Sequence, residues 1–177
     1  LMDATARAGL RRTWSDWDQQ YDFSKPLDYP LPEGFRFAEA PLDVAKCSEC
    51  CWKGFDHEAE EGPWDGDIEY TGALLTAPHA TQHLDVAIEN GAGEYVCYAG
   101  MWWTEKNKLA YLEPLCTVPE HRKKGLAAAL LCEMARRMGE KGATLMTGGS
   151  DPFYQKIGFF KNILSVYFGE ISRIIRK

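Results

Sequence analysis

The sequence lacks several features that mark whole classes of protein. It has no apolar run long enough to span a membrane and no basic-then-apolar signal at its start. We therefore expect a cytoplasmic location and no membrane partner. Positive charge is also scarce, since 20 Lys and Arg stand against 26 Asp and Glu for a net charge of −6. This balance argues against a nucleic-acid-binding surface. The 177 residues, 45% of them hydrophobic, suit one globular domain with a sizeable core.

A disulfide framework and a complete zinc motif are missing too. The spacing of the six cysteines does not resemble that of a small secreted domain. Three of them, Cys97, Cys116 and Cys132, lie in predicted strands or in the main helix, where a free thiol packs as a small apolar group. The segment Cys47-x-x-Cys50-Cys51 resembles half a zinc site, but no second half has matching spacing. We therefore expect no bound metal.

Neither of two familiar phosphate-binding loops is present, because the spacings Gly-x-x-x-x-Gly-Lys-Ser/Thr and Gly-x-Gly-x-x-Gly are absent. Residues 109–128 nevertheless predict an anion site. They read as a strand ending at Val118, a loop opened by Pro119 and closed by Gly125, and a helix that begins at once. A helix start offers backbone N–H groups without partners and partial positive charge. Lys123 and Lys124 add charge, and the loop suits a pyrophosphate.

The loop sequence Arg122-x-x-Gly125-x-Ala127 resembles the Arg/Gln-x-x-Gly-x-Gly/Ala signature of the GNAT (Gcn5-related N-acetyltransferase) superfamily. In that family the backbone amides of the loop hold the pyrophosphate of acetyl-coenzyme A. Downstream, residues 150–159 resemble the closing motif of the family, a short helix with a tyrosine before Gly-Phe. Tyr154 matches the tyrosine that protonates the leaving thiolate in many members. The resemblance covers about residues 35–170.

The resemblance implies a mixed α/β fold, with a central, mostly antiparallel twisted sheet, one parallel splayed strand pair and flanking helices. It implies acetyl-CoA as co-substrate, with the pantetheine arm inserted between the splayed strands and bonded to backbone near residues 116–118. Pro114 fits this picture, because it cannot donate a ladder hydrogen bond and marks an edge or bulge. The predicted cofactor-binding residues are Cys116, Thr117, Val118, Arg122, Lys123, Lys124, Gly125, Leu126, Ala127 and Ala128.

The sequence departs from the family at two places before the tyrosine. Many members have asparagine seven residues and alanine four residues before it, whereas this chain has Thr147 and Ser150. A weaker hold on the pantetheine or a different loop path would follow.

Acetyl transfer to an amine needs a base, a group that polarises the carbonyl and an acid for the leaving thiolate. We predict Glu113 as the base, acting directly or through water, because a position beside a strand break can raise its pKa. The alternative is an ion pair with Lys or Arg. Glu120 and His121, at the loop mouth, are weaker candidates. A backbone N–H near Leu115 or Cys116 is predicted to polarise the carbonyl.

Tyr154 is the predicted general acid, since the pKa of its hydroxyl lies close to that of an alkyl thiol. The alternative is a core tyrosine with a satisfied hydroxyl.

Residues 56–69 carry seven carboxylates and no Lys or Arg. One interpretation is a solvated acidic loop. The other is a wall of the acceptor pocket, because carboxylates raise the local concentration of an ammonium ion and aromatic faces suit a cation. The acidic residues are Asp56, Glu58, Glu60, Glu61, Asp65, Asp67 and Glu69, and the aromatic ones are Trp52, Phe55, Trp64 and Tyr70.

The chain divides by pattern into residues 1–34, an N-terminal extension and linker, and residues 35–177, the acetyltransferase domain. A helix over 2–12 and a strand over 17–23 are predicted in the first part, which we also interpret as the tail of a preceding acetyltransferase-like unit. In the second, strands are predicted over 35–38, 84–89, 94–104, 109–118 and 143–147. Helices are predicted from Pro41 to about Phe55 and from the loop to Gly142, and closing strands over 159–175.

The sequence thus predicts an N-acetyltransferase that acts on a primary amine of a small, cationic molecule or of a peptide. A second hypothesis keeps the phosphate loop without catalysis, as a coenzyme-A sensor or an interaction module. A cysteine-metal protein is a third, weaker hypothesis. The identity of the acceptor is left open, as is the oligomeric state, with a homodimer as one option.

Overall fold

The computed structural model describes residue 5 and residues 7–170. The chain forms two compact units, which are described in turn. The larger is Asp22–Thr147, and the smaller combines Leu1–Tyr21 with Gly148–Lys177. The domain boundary at residue 35 stays a prediction.

The larger unit contains five strands, which lie side by side in the order β2 (Arg36–Phe37), β3 (Val86–Glu89), β4 (Tyr95–Thr104), β5 (Leu109–Thr117) and β6 (Leu145–Thr147). Neighbouring strands from β2 to β5 pair antiparallel, and β5 pairs parallel with β6. The mostly antiparallel sheet with one parallel pair, and hence the predicted fold class, is confirmed.

The parallel pair separates after two positions. Leu109 lies opposite Leu145 and Ala110 opposite Met146. At the next step the N–H of Leu112 donates to the Thr147 hydroxyl, over 3.0 Å, and not to a backbone carbonyl. Since β5 runs on to Thr117, its second half continues beyond this pairing, as the splayed pair predicts.

Four helices belong to the larger unit. They are α1 (Val44–Gly54), α2 (His57–Glu61), α3 (Glu69–Thr76) and α4 (Leu126–Glu140). The Asp43 side chain begins α1 by accepting from the N–H groups of Ala45 and Lys46 at 2.9 and 3.1 Å. Helix α1 packs on β4 and β5, and α4 packs on β3, β4 and β5.

The apolar stripe predicted for α4 is confirmed. Its members recur every fourth residue, which places them on one helix face. All four are at most 1% exposed, so this face is the side of α4 that enters the core. They are Leu126, Leu130, Met134 and Met138.

The smaller unit consists of β1 (Leu10–Asp22), α5 (Pro152–Lys156) and β7 (Phe160–Glu170). Strands β1 and β7 pair antiparallel, from Leu10 opposite Glu170 to Gln20 opposite Phe160. The helix predicted over 2–12 is therefore wrong for residues 10–12, and residues 1–4 and 6 lie outside the described part. The strand predicted over 17–23 begins seven residues earlier, at Leu10. Of the closing strands predicted to residue 175, residues 171–175 lie outside the described part.

The other predicted elements are found with shifts of a few residues, but two helices were missed. Helix α2 forms within the acidic segment, and α3 follows it. Among the residues that the structure describes, no helix has the length and apolar character needed to cross a membrane.

Candidate active site

A β-bulge in the middle of the sheet positions Glu113. Ala99 pairs with Leu115 and Met101 pairs with Leu112, so one residue of β4 faces two residues of β5. The single residue is Gly100, and a Cβ there would lie 2.4 Å from the Glu113 carbonyl oxygen and 3.0 Å from Pro114 Cδ. The approach of the two strands therefore requires glycine. The interruption predicted at Pro114 is confirmed, and Glu113 is the other residue of the bulge.

A cavity of about 710 Å³ opens on this bulge. Its volume falls in the range of small-molecule sites. Gly100 and Pro114 lie in its lining, together with aromatic side chains and five carboxylates. The aromatic residues are Trp52, Phe55, Trp64, Tyr70, Tyr98 and Trp102, and the carboxylates are Glu61, Asp65, Asp67, Asp85 and Glu113. This composition suits a cation.

Glu113 has the properties expected of a base. Partial burial raises the pKa of its carboxyl above the ordinary value of 4.5. Within the described residues, none of the ion pairs includes Glu113, so the alternative of a Lys or Arg partner finds no support there. A carboxyl that lines a cavity and has a raised pKa accepts a proton at a higher pH than an ordinary glutamate does.

Asp85 is a second carboxylate of the cavity, and sequence analysis missed it. It is 8% exposed. Its Oδ1 accepts from the N–H of Met101 and its Oδ2 from the hydroxyl of Tyr98, both at 2.9 Å. Burial raises the pKa of Asp85 to about 6, although both hydrogen bonds lower it. The available signal was a carboxylate at the head of the otherwise apolar run Val86–Ile88.

Part of the acidic segment forms a wall of this cavity. Hydrogen bonds from side chains of α1 and of the segment itself hold its backbone: Ser48 Oγ and Trp64 Nε1 donate to the carbonyl of Asp67, and Trp52 Nε1 donates to that of Gly62. Three of its seven carboxylates line the cavity. Glu61, Asp65 and Asp67 therefore face a cavity and not only solvent, and the assignment of this cavity to the acceptor stays a prediction.

The predicted phosphate loop lies between β5 and α4. Gly125 is the residue before α4 and has a φ of 85°, a conformation that favours glycine. No side chain caps this helix start. Among the described residues, no backbone carbonyl accepts from the N–H groups of residues 123–128. Such N–H groups at a helix start suit an anion, and the anion cradle at this loop stays a prediction.

The guanidinium of Arg122 is used within the protein. Its Nε donates to the Thr117 carbonyl at 3.1 Å, and NH2 donates to the Gly54 carbonyl and to both carboxylate oxygens of Asp56 at 2.9 Å. Arg122 thus ties the loop to the end of α1. The side-chain charge available to an anion is that of Lys123 and Lys124, and Lys124 Nζ lies 3.3 Å from His121 Nδ1.

The backbone of β5 beside the loop alternates in direction. The N–H of Val118 donates to the Val96 carbonyl at 3.0 Å. Since antiparallel pairing alternates residue by residue, the N–H of Cys116 also faces β4, whereas those of Leu115 and Thr117 face away from it. The Cys116 thiol is buried against α1, 3.9 Å from the Cys50 sulfur.

Tyr154 lies in α5 of the smaller unit and is 9% exposed. Its ring packs against Phe159, with the ring centroids 5.2 Å apart. Two glycines make room for it, because a Cβ at Gly148 would lie 2.7 Å from Tyr154 Cδ1 and one at Gly149 would lie 3.3 Å from Cε2. This unit therefore holds the ring in one position.

The cysteines pack as apolar side chains. Four of the six are buried, and burial raises the pKa of the Cys47 thiol and raises that of Cys97 to about 12. Within the described part of the chain, no group of three or more His, Cys, Asp or Glu is placed to hold a metal ion.

Comparison with known proteins places this site in a family. Residues 80–161 match the model of the acetyltransferase (GNAT) domain, a segment that contains Asp85, the bulge, the loop and Tyr154. The resemblance to the GNAT superfamily is thereby confirmed over these residues, which make up somewhat less than half of the chain. A comparison with curated proteins finds no match.

Solved structures share the fold. A GCN5-related N-acetyltransferase from Sphaerobacter thermophilus has a TM-score of 0.68 and 17% identity, over 94% of this chain and 54% of that chain. One from Kribbella flavida has a TM-score of 0.64 and 19% identity, over 97% and 63%. A tandem GNAT protein from the clavulanic acid biosynthesis pathway has a TM-score of 0.64 and 15% identity, over 94% and 57%. The chain thus spans little more than half the length of these structures.

The raised pKa of Asp85 predicts a pH dependence of stability. Because the folded pKa of about 6 lies above the ordinary 3.8, the folded protein binds more protons between these values. Its free energy of unfolding therefore falls as pH rises from about 4 to about 6. Asp85→Asn removes this contribution, which is on the order of 3 kcal/mol at most. Denaturant unfolding at pH 4.5 and 7.5 measures it.

The exposed Asp28→Asn variant is the control and is expected to behave like the parent protein. Equal changes in unfolding free energy for the parent and for Asp85→Asn would contradict the prediction.

Proposed function

We propose that the protein is an N-acetyltransferase that transfers the acetyl group of acetyl-CoA to a primary amine of a small cationic molecule or of a peptide. The observation that carries the proposal is the position of Glu113. It lies at a bulge that opens into an acid-lined, aromatic cavity, on the strand that leads into the phosphate loop of a GNAT domain.

The donor side of the proposal rests on the loop. Acetyl-CoA supplies the activated acetyl thioester, and its pyrophosphate is a dianion that suits N–H groups at a helix start. Residues 123–128 offer such groups. Gly125 adopts a φ of 85° and has no side chain, so a ligand can come close to the backbone there. Backbone contacts to the pantetheine arm are predicted near Cys116, Thr117 and Val118. Because successive N–H groups of β5 point to opposite sides, those of Leu115 and Thr117, which face away from β4, are the ones available to the pantetheine arm and the thioester carbonyl.

The acceptor side rests on the cavity. A primary amine is an ammonium ion at neutral pH, and a cavity lined by carboxylates concentrates it. Aromatic faces such as those of Trp52 and Trp102 stabilise a cation that leaves water. Glu113 is the carboxylate of this cavity that lies on β5 itself.

In the proposed reaction Glu113 takes a proton from the ammonium ion, directly or through water, and the neutral amine attacks the thioester carbonyl carbon. A C–N bond forms, the C–S bond breaks, and the nitrogen loses a second proton to solvent. Tyr154 gives its hydroxyl proton to the departing thiolate and regains one from solvent, and Glu113 releases its proton to solvent. The products are the N-acetyl amine, coenzyme A and one net proton. For Tyr154 the proposal rests on the family resemblance.

Glu113→Gln tests the base. We expect turnover to fall by about 10²- to 10⁴-fold, because the variant cannot accept a proton. The parent protein should lose activity as pH falls through a pKa above 4.5, the ordinary value for glutamate. Release of the coenzyme A thiol with a panel of amines measures both effects. Glu120→Gln, at the loop mouth, is the matched control, and an equal loss in that variant would move the base to Glu120.

Gly125→Glu tests the loop. The substitution places a side chain at a φ of 85° and a negative charge beside the cradle, so we expect acetyl-CoA binding to be lost in calorimetric titration. Gly91→Glu, in a turn with nothing within 4 Å of an added Cβ, should bind like the parent. Undiminished binding by Gly125→Glu would show that the pyrophosphate lies elsewhere, whereas binding without transfer in the parent would favour the non-catalytic hypothesis.

Tyr154→Phe tests the acid. The ring stays in place and only the hydroxyl is lost, so we expect lower turnover with nearly unchanged acetyl-CoA affinity. The exposed Tyr29→Phe variant is the control. Turnover equal to that of the parent would remove Tyr154 from the mechanism.

A further inference from the structure

Two carboxylates flank Gly100 at the same level of the sheet. The pairing of Val86 with Ala99 places the preceding residue, Asp85, opposite Gly100 on the β3 side. On the β5 side Gly100 faces the bulge that contains Glu113. Both side chains line the same cavity. Because strands lie about 4.8 Å apart, the two residues are separated by two strand spacings, about 10 Å.

The backbone fixes this separation. Asp85 is held by the Met101 N–H and the Tyr98 hydroxyl, both at 2.9 Å. Glu113 is held by the bulge, where any side chain larger than that of Gly100 would meet its carbonyl oxygen. Strand pairing on either side of Gly100 therefore fixes the spacing of the two backbone positions.

The strand residues next to the two carboxylates give the cavity an apolar part. Gly100 contributes no side chain, and Met101, Trp102 and Pro114 join it in the lining. A chain of methylene groups is suited to such a surface, since its burial is favourable by about 0.8 kcal/mol per CH₂.

Asp85 also has hydrogen-bonding capacity to spare. A carboxylate offers about four lone-pair sites, and the Met101 N–H and the Tyr98 hydroxyl use two of them. Within the described residues, none of the ion pairs includes Asp85. A buried carboxylate without a counter-charge favours a ligand that brings one.

We propose that the acceptor is a linear diamine or polyamine, with the amine to be acetylated at Glu113 and a second ammonium group bound by Asp85. Asp85 is then the residue that selects doubly charged acceptors, and a monoamine leaves it without a counter-charge. This inference rests on the proposed function, because it assigns the acceptor of that reaction.

Calorimetry with unreactive probes tests the inference without catalysis. The probes are hexane-1,6-bis(trimethylammonium), about as long as the spacing of the two backbone positions, and hexyltrimethylammonium, which has one charge. At pH 8 the parent protein is expected to bind the doubly charged probe about ten- to a hundredfold more tightly, the effect of a second ammonium charge next to a buried carboxylate. Asp85→Asn should reduce this affinity ratio to about one.

Two further variants complete the test. Glu58→Gln removes a charge of the acidic segment that does not line the cavity, and its affinity ratio should equal that of the parent. Asp85→Glu keeps the charge and extends the side chain by one methylene, so the preferred probe should become shorter by about one carbon. It also serves if Asp85→Asn does not fold.

Equal affinity of the parent for both probes, or an unchanged ratio in Asp85→Asn, would overturn the inference. The same loss of ratio in Glu58→Gln would also overturn it, since net charge would then explain the selectivity. The acetylation assay is separate. Selective probe binding without acetyl transfer to diamines would count against the proposed function and leave the two-carboxylate site standing.

Discussion

The contact between Gly100 and the bulge at Glu113 and Pro114 is the constraint on which the site depends. A Cβ at this place would overlap the Glu113 carbonyl oxygen, so β4 and β5 approach only around a glycine. The approach leaves one residue of β4 opposite two of β5. Glu113 at this bulge and Asp85 on the other side of Gly100 both line the cavity. Just before the bulge, β5 leaves its parallel partner, so the interruption serves both sides of the reaction that we propose.

The donor side depends on backbone more than on side-chain charge. The loop between β5 and α4 presents N–H groups of residues 123–128 that no described backbone carbonyl accepts, and Gly125 has the positive φ that lets the chain turn into the helix. The acceptor side uses the opposite chemistry, carboxylates and aromatic faces supplied by α1, the acidic segment and the sheet. In the proposed function, the pyrophosphate dianion and the cationic acceptor would meet surfaces of opposite sign within one unit of the chain.

The features that sequence predicted are those set by neighbouring residues. The stripe of α4, the loop around Gly125 and the break at Pro114 each follow from local spacing or from the chemistry of one residue. The failures involve distant partners. Residues 10–12 are strand because they pair with residues 168–170, which overrides local helix preference. Asp85 escaped notice because its importance comes from Tyr98 and Met101, which are 13 and 16 residues away. No periodicity reveals such a pairing.

The internal role of Arg122 has a consequence for how an anion is held. Its guanidinium forms an ion pair with Asp56 and caps the carbonyls of Gly54 and Thr117, so the pair contributes no net charge at the loop. In the proposed function the pyrophosphate is then held chiefly by the fixed dipoles of backbone N–H groups, with Lys123 and Lys124 nearby. Dissolved ions screen exposed charges over distances of about 8–10 Å at physiological ionic strength, but they weaken short contacts to fixed N–H groups much less. The proposed binding of a pyrophosphate is therefore expected to depend only weakly on the ionic strength of the solution.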